Sequence, residues 1–338
     1  MNRVTAADVA AAAGVSRSTV SYVLNGSDRV RFPESTVARV LEAAARLNYT
    51  PNAAASSLRR GRSDVVLAVL HDMPHGTALG RLLDELTAVV AAQGRSLVTW
   101  AAREGSALAD VLRDLTPRVI VELMPFGDED RATAAGSGVP VLSAIDALLD
   151  LESHVGAAQV DHLAGLGHRR VGVVTVDEPR VEVFARARRA SAADALRRHG
   201  LAAPPVAVMG EAGAAAADVL AESLREWTRG PDPVTAVACY NDLFAAITCA
   251  AAERAGLSVP HDLAVVGVDD EPLGAWLSPT LTTVRVDLPA LATAIAAALA
   301  GDARSRDVDV IGEGRDVALV VRGTSGAPRS GSVDQTSR

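Results

Sequence analysis

Residues 4–25 read VTAADVAAAAGVSRSTVSYVLN, and their spacing predicts two short helices joined by a tight turn. Thr5 can cap the first helix, with Asp8 three residues on completing a capping box. Val9, Ala10 and Ala13 then share an apolar face. Gly14 stands where the chain must turn, a place where positive φ costs glycine little. Val15 can plug the corner, and Ser16 is a good N-cap for a second helix starting at Arg17. In that helix Val20, Val23 and Leu24, spaced i, i+3, i+4, face inward and leave Arg17, Ser18, Ser21 and Tyr22 outside. A short helix with Arg, Ser and Tyr at its exposed N-terminal end can enter the major groove of DNA. An ordinary helical hairpin gives the same pattern, so spacing alone leaves both readings standing.

Beyond this stretch, residues 28–32 read as a polar loop, and Pro33 suits the start of a third helix, where its missing N–H is no loss. Val37, Val40, Leu41, Ala44 and Leu47 follow at helical spacing and would close a small three-helix core. Arg39 and Arg46 lie elsewhere on that helix, as phosphate contacts or as solvated charge. Pro51–Asn52 ends it and can cap a short helix over 53–58, too short to be stable alone. Residues 1–62 carry nine arginines against four acids, a net of +5, whereas the rest of the chain nets −13. The overall charge of −8 therefore hides a basic head on an acidic body, which suits a DNA binder, because only the head has to neutralise phosphates. All 33 basic residues are Arg.

From Val65 the pattern changes. Apolar strands at 65–70, 96–100, 119–123 and 139–144 alternate with helical stretches at 79–92, 107–114 and 129–135. The theme repeats with helices at 155–165, 185–199, 215–229, 242–255 and 289–300 and strands at 170–176, 206–209, 236–239 and 263–268. Such alternation predicts parallel, doubly wound sheets with helices on both faces, in two lobes. Ligands on such sheets bind at the carboxyl ends of strands. There stand Tyr240–Asn241–Asp242 and Asp269–Asp270, which turn formation and helix capping would equally explain.

The run Thr5, Asp8, Val9, Ala10, Ala13, Gly14, Val15, Ser16, Thr19, Val20, Ser21, Val23, Asn25 resembles the helix-turn-helix signature of the lactose-repressor (LacI/GalR) family. The likeness continues through Leu47–Asn48–Tyr49 and Pro51–Asn52 and resumes at Gly167–His168–Arg169–Arg170, Pro260, Val266–Gly267 and Pro279–Thr280–Leu281–Thr282–Thr283. It implies an all-α helix-turn-helix domain (1–50), a hinge helix and linker (51–62) and a two-lobed periplasmic-binding-protein-like α/β core (63–323). Lobe 1 would take residues 63–154 and 285–306, and lobe 2 residues 155–284 and 307–323, with three crossings between them. The resemblance further implies a homodimer on palindromic double-stranded operator DNA. Its DNA contacts would come from Thr5, Ser16, Arg17, Ser18, Thr19, Ser21, Tyr22 and Asn25, with Asn52, Ala55 and an intercalating Leu58 in the hinge. A small-molecule effector, sugar or nucleoside-like, would sit between the lobes. Arg188, Asn241 and Asp269 match the family's contacts, and His71, Asp146 and Trp276 are further candidates. The sequence departs from the family at Tyr22, where Arg is usual, at Ser191–Ala192 in place of Gly-Phe, and at Asp146, one residue off the usual position.

The remaining features narrow the class. Cys239 and Cys249 lie in apolar stretches and read as small core residues, with no metal site expected. No GxGxxG, P-loop, HExxH or GxSxG pattern appears, so neither an enzyme nor a cofactor is expected. No signal peptide or span-length apolar run is present, so the protein is expected to be cytoplasmic and off the membrane. A solute-binding sensor whose DNA head is secondary is the alternative. The Ser/Gly/Pro-rich segment 324–338 is expected to be disordered, and it lacks the leucine heptads of a tetramer.

Overall fold

The computed structural model describes residues 4–25, 32–49, 63–71, 77–102, 107–210, 213, 215–300 and 317–329. It divides into two compact units, Met1–Asp64 and Val65–Arg338.

In the first unit, helices α1 (Ala6–Ala13), α2 (Arg17–Asn25) and α3 (Glu34–Arg46) enclose one small core. Val9, Val20, Val23 and Val40 are its fully buried centre, with Ala10, Ala13, Ala43 and Ala44 letting the helices approach closely. The Asp8 carboxylate accepts both the Thr5 N–H (2.8 Å) and the Thr5 hydroxyl (2.7 Å), and the Thr5 backbone N–H chiefly holds its pKa below the usual carboxylate value. Gly14 takes φ +66°, ending α1, and its N–H and that of Val15 return to carbonyls of α1.

The second unit carries two sheets. The first has order β2-β1-β3-β4, from β1 (Val65–His71), β2 (Ser96–Ala102), β3 (Val119–Glu122) and β4 (Val141–Ser143), all parallel. Val66, Ala68 and Leu70 of β1 face helix α4 (Thr77–Ala92), while Leu67 and Val69 face α5 (Leu108–Leu115) and α6 (Asp128–Gly136). This is the period-two alternation of a strand buried on both faces. The second sheet has order β10-β9-β8-β7-β5-β6, built from β5 (Val171–Val176), β6 (Val206–Met209), β7 (Ala236–Cys239), β8 (Ala264–Val268), β9 (Thr282–Val286) and β10 (Val317–Val320). It is parallel except that β10 runs antiparallel to β9. Helices α7 (Ile145–Gly165) and α8 (Glu182–Arg198) cover one face, and α9 (Ala216–Trp227) and α10 (Asp242–Arg254) the other. Helix α11 (Leu288–Ala300) returns to the first sheet beside α4.

Three features differ from expectation. The lobe boundary expected at 154/155 falls inside α7, a single helix whose Ala147 and Leu151 sit in the first sheet's core and whose Val160 and Leu163 sit in the second's. The cause is a stripe, Ala147, Leu151, Val155, that keeps helical spacing across the expected break. Strand β9 stays in the second sheet as far as Val286, so that crossing follows it rather than residue 284; the third crossing, in 301–316, lies outside the described residues.

The third concerns 324–329, which is ordered rather than loose. Thr324 is fully buried, and its N–H reaches the Thr280 carbonyl while its carbonyl accepts the Val265 N–H. Its hydroxyl donates to the Val265 carbonyl and accepts from the Thr282 N–H. Gly326 offers its carbonyl to His168 Nε2 (2.8 Å), and Arg329 pairs with Asp262 (2.9 Å). Composition suggested disorder, but here buried polar backbone finds partners in a neighbouring strand end. Residues 330–338 lie outside the described residues.

Candidate functional site

The first unit presents its polar residues at the amino end of α2. Ser16 Oγ accepts the Thr19 N–H at 3.1 Å and so caps the helix. The same hydroxyl lies 2.7 Å from Ser18 Oγ and 2.8 Å from Thr19 Oγ1. Ser16, Arg17 and Ser18 are exposed, and Thr19 and Ser21 are half-buried. Tyr22, a turn beyond Ser18, is 48% exposed and leans on Phe32 with ring centroids 6.3 Å apart. A helix start with unpaired N–H groups, hydroxyls and a guanidinium is a ready anion-binding surface. Thr5 is exposed at the start of α1. The Asn25 side chain and all of Asn52, Ala55 and Leu58 lie outside the described residues.

In the second unit the carboxyl ends of β7 and β8 bring together Tyr240, Asn241, Asp242 and Asp269. The buried Gln159 of α7 ties these ends together, its amide donating to the carbonyls of Cys239 (2.9 Å) and Val266 (3.1 Å). Arg188 of α8 enters the same cluster. Its Nε and Nη2 reach the two carboxylate oxygens of Glu152 at 2.5 and 2.8 Å, its Nη1 donates to the Tyr240 carbonyl, and its guanidinium lies 4.7 Å from the centre of the Tyr240 ring. Burial works against the Arg188 charge, yet Glu152, with smaller help from Tyr240 and Asp269, more than offsets it and holds the guanidinium pKa above its ordinary value. Burial also pushes the Tyr240 hydroxyl up to about 12.

Asp269 follows β8 with φ +99°, and burial pushes its carboxyl up to about 7 against the pull of Arg188. Among the described residues nothing donates a hydrogen bond to that carboxyl; its backbone carbonyl accepts one from Arg81 of α4 at 3.3 Å. Asp270, also at positive φ, is clamped by Arg322 (2.5 Å) and Arg285 (2.6 Å). The fully buried Asp242 sets the shape of this turn. Its carboxylate accepts the Glu271 N–H (2.7 Å) and the Thr283 hydroxyl (2.6 Å), and burial still pushes it up to about 6. Only glycine fits at 267, because a side chain there would run into the Asp242 carboxylate.

The structure thus brings Arg188, Asn241 and Asp269 together. Asn241 Oδ1 caps α10 by accepting the Phe244 N–H at 3.1 Å, as the turn-and-cap reading predicted. Asp146 is exposed in the first turn of α7, and Trp276 is 81% exposed after a short 3-10 helix (Pro272–Ala275), so neither is buried against the cluster. His71 ends β1, and its side chain lies outside the described residues. Sequence reading missed Glu152 and Arg81, and it placed Asp242 at the strand end without a role. Extending the α7 stripe upstream through Ala147 and Leu151 would have put Glu152 on a helix, but its partner lies 36 residues away on another. Among the described residues no group of acids, histidines or cysteines could hold a metal, and no helix is long and apolar enough to cross a membrane.

Comparison with known proteins fits both units. Residues 5–52 match the family described as bacterial regulatory proteins, lacI family, and residues 160–325 match a periplasmic binding protein-like domain. The HTH-type transcriptional regulator GalS of Salmonella typhimurium is 30% identical over 90% of this chain and 92% of its own length. The HTH-type transcriptional regulator reg1 of Streptomyces lividans is 31% identical over 85% and 87%. Among solved structures, a lac repressor dimer bound to operator and the anti-inducer ONPF superposes with TM-score 0.76 at 24% identity, covering 96% of this chain and all of that one. A complex of the transcriptional regulator CelR with cellobiose superposes with TM-score 0.61 at 22% identity, covering 96% of this chain. With a helix-turn-helix head and a two-sheet core that match along nearly the whole length, this chain belongs to the lacI family of bacterial regulatory proteins.

Proposed function

We propose that this regulator is a repressor that binds a palindromic operator as a homodimer and is controlled by a small molecule held between its two lobes. The observation that carries the reading is the helix-turn-helix head. Its α2 and the capping Ser16 together expose Ser16, Arg17 and Ser18 at the amino end and Tyr22 a turn beyond, and the head's charge is opposite to that of the core. Arg17, Ser18 and Tyr22 are our choices for base or backbone contact, with Thr5, Thr19, Ser21 and Asn25 beside phosphate and Asn52, Ala55 and Leu58 acting in the minor groove. The ligand would meet Arg188, Asn241 and Asp269 at the carboxyl ends of the strands. A ligand that binds two lobe arrangements unequally changes DNA affinity by that difference. Relatives named for operator, ONPF and cellobiose complexes support both halves of the reading.

The test is selection from random duplexes at low salt by purified protein. A palindrome is expected, and Arg17→Ala should weaken it by about 1–3 kcal/mol while relaxing preference at one base pair of each half-site. A pool that stays random would overturn the reading.

A further inference from the structure

Arg188 has five N–H donors in a planar fork. The pair best suited to grip a ligand carboxylate or phosphate from the side, Nε and Nη2, is taken by Glu152 at 2.5 and 2.8 Å, and Nη1 is taken by the Tyr240 carbonyl. Two helices in close contact fix this arrangement. Glu152 lies one turn before Gly156 on α7, and Gly156 packs directly on the backbone of Arg188 and Ala192 in α8. Ser191 Oγ adds two bonds across the same contact, donating to the Ser153 carbonyl and accepting the Ala157 N–H. The chain has therefore placed its own carboxylate where an anionic ligand group would bind. The Asp269 carboxyl, in contrast, receives no hydrogen bond among the described residues, and so offers an acceptor to a ligand donor.

We propose that Glu152 is a specificity-determining residue of the ligand site: it occupies Arg188 in place of a ligand anion. The site then turns away phosphorylated and carboxylated ligands and accepts uncharged polyhydroxylated or amine-bearing ones through Asp269. This rests on the reading that Arg188 and Asp269 line that site. An anion approaching Arg188 has to displace Glu152 or sit beside its negative charge, and the partly buried setting screens that repulsion little.

Inorganic phosphate is the probe, titrated calorimetrically at fixed ionic strength into full-length wild type, Glu152→Gln and the double variant Glu152→Gln/Arg188→Met. All three share the basic head, so phosphate uptake there cancels. Glu152→Gln is expected to gain a phosphate site about tenfold or more tighter than anything in wild type, and the double variant to lose it. Glu152→Ala, which removes the charge and adds room, should gain the same site and gives a second reading if the Gln variant folds poorly. Wild type that binds phosphate as tightly as the variants, or variants that gain nothing, would overturn the proposal. Failure of the ligand-site reading itself looks different: Asp269→Asn would then leave the DNA response to an effector unchanged, whatever phosphate does.

Discussion

Replacing Asp269 by Asn should make the protein more stable, and increasingly so as pH rises. Burial lifts this carboxyl from 3.8 to about 7. A carboxyl whose folded pKa lies above its unfolded one contributes its full stability below about pH 4 and loses it as pH rises through the folded value. At neutral pH and above, the native state therefore bears the cost of ionising Asp269, which the rise from 3.8 to about 7 bounds at about 4 kcal/mol. Solvent reaching the half-buried side chain trims the figure to roughly 2 kcal/mol. Asn is nearly isosteric, tolerates positive φ as Asp does, and gives up no protein hydrogen bond among the described residues. Its advantage over wild type should widen by about 2 kcal/mol between about pH 4 and pH 7, or roughly 5 °C in melting temperature for a core of this size. The assay is thermal unfolding of both proteins across that range. An offset that stays constant, or one that narrows toward alkaline pH, would refute the account. A stabilised variant that has also lost its effector response would identify Asp269 as a group kept at the expense of stability.

Gly156→Ala should destabilise the core, although helix propensity alone favours Ala by about 1 kcal/mol. The added methyl would run into the Arg188 carbonyl and lie 2.8 Å from the Ala192 nitrogen, and overpacking of this kind costs about 1–3 kcal/mol; a urea denaturation midpoint equal to or above wild type would count against the close contact of α7 with α8. Acid should loosen the 324–329 segment. Burial lowers the pKa values of His168 and His162, which hold Gly326 and Ser325, so their contribution is complete above the ordinary histidine value of about 6.5 and is lost as pH falls below it. His162→Gln should flatten that acid limb of the stability curve, with Asp242 and Asp269 working in the opposite direction in both proteins; an unchanged acid limb would remove His162 from the explanation.

The head was the most legible part of the sequence because its signals are local: a cap, a glycine at a turn and valines at helical spacing all lie within 22 residues. Most strands of the core were equally plain, since buried parallel strands read as apolar runs. Strands β9 and β10 were not read as strands, because Thr282–Val286 carries threonines and an arginine and Val317–Val320 is a short edge. The cluster was half legible. Asp269 and Asn241 follow strands, and resemblance supplied Arg188. Glu152, Asp242 and Arg81 act through partners 29 to 188 residues away, and no periodicity reports such distances. Thr324 was misread for the same reason, since its composition speaks of solvent and its partners lie 42 and 59 residues earlier.

That last placement bears on how the protein is made. Ribosomes deliver the amino-terminal residues first, and a unit held by short-range contacts can form as soon as it emerges. The head satisfies that condition. The second sheet does not, because the Val265 and Thr282 N–H groups lack their Thr324 acceptors until that residue has left the exit tunnel. During translation the DNA-reading part is thus ready before the sensing part is closed, and a nascent chain stalled short of residue 324 carries a competent head on an unfinished body.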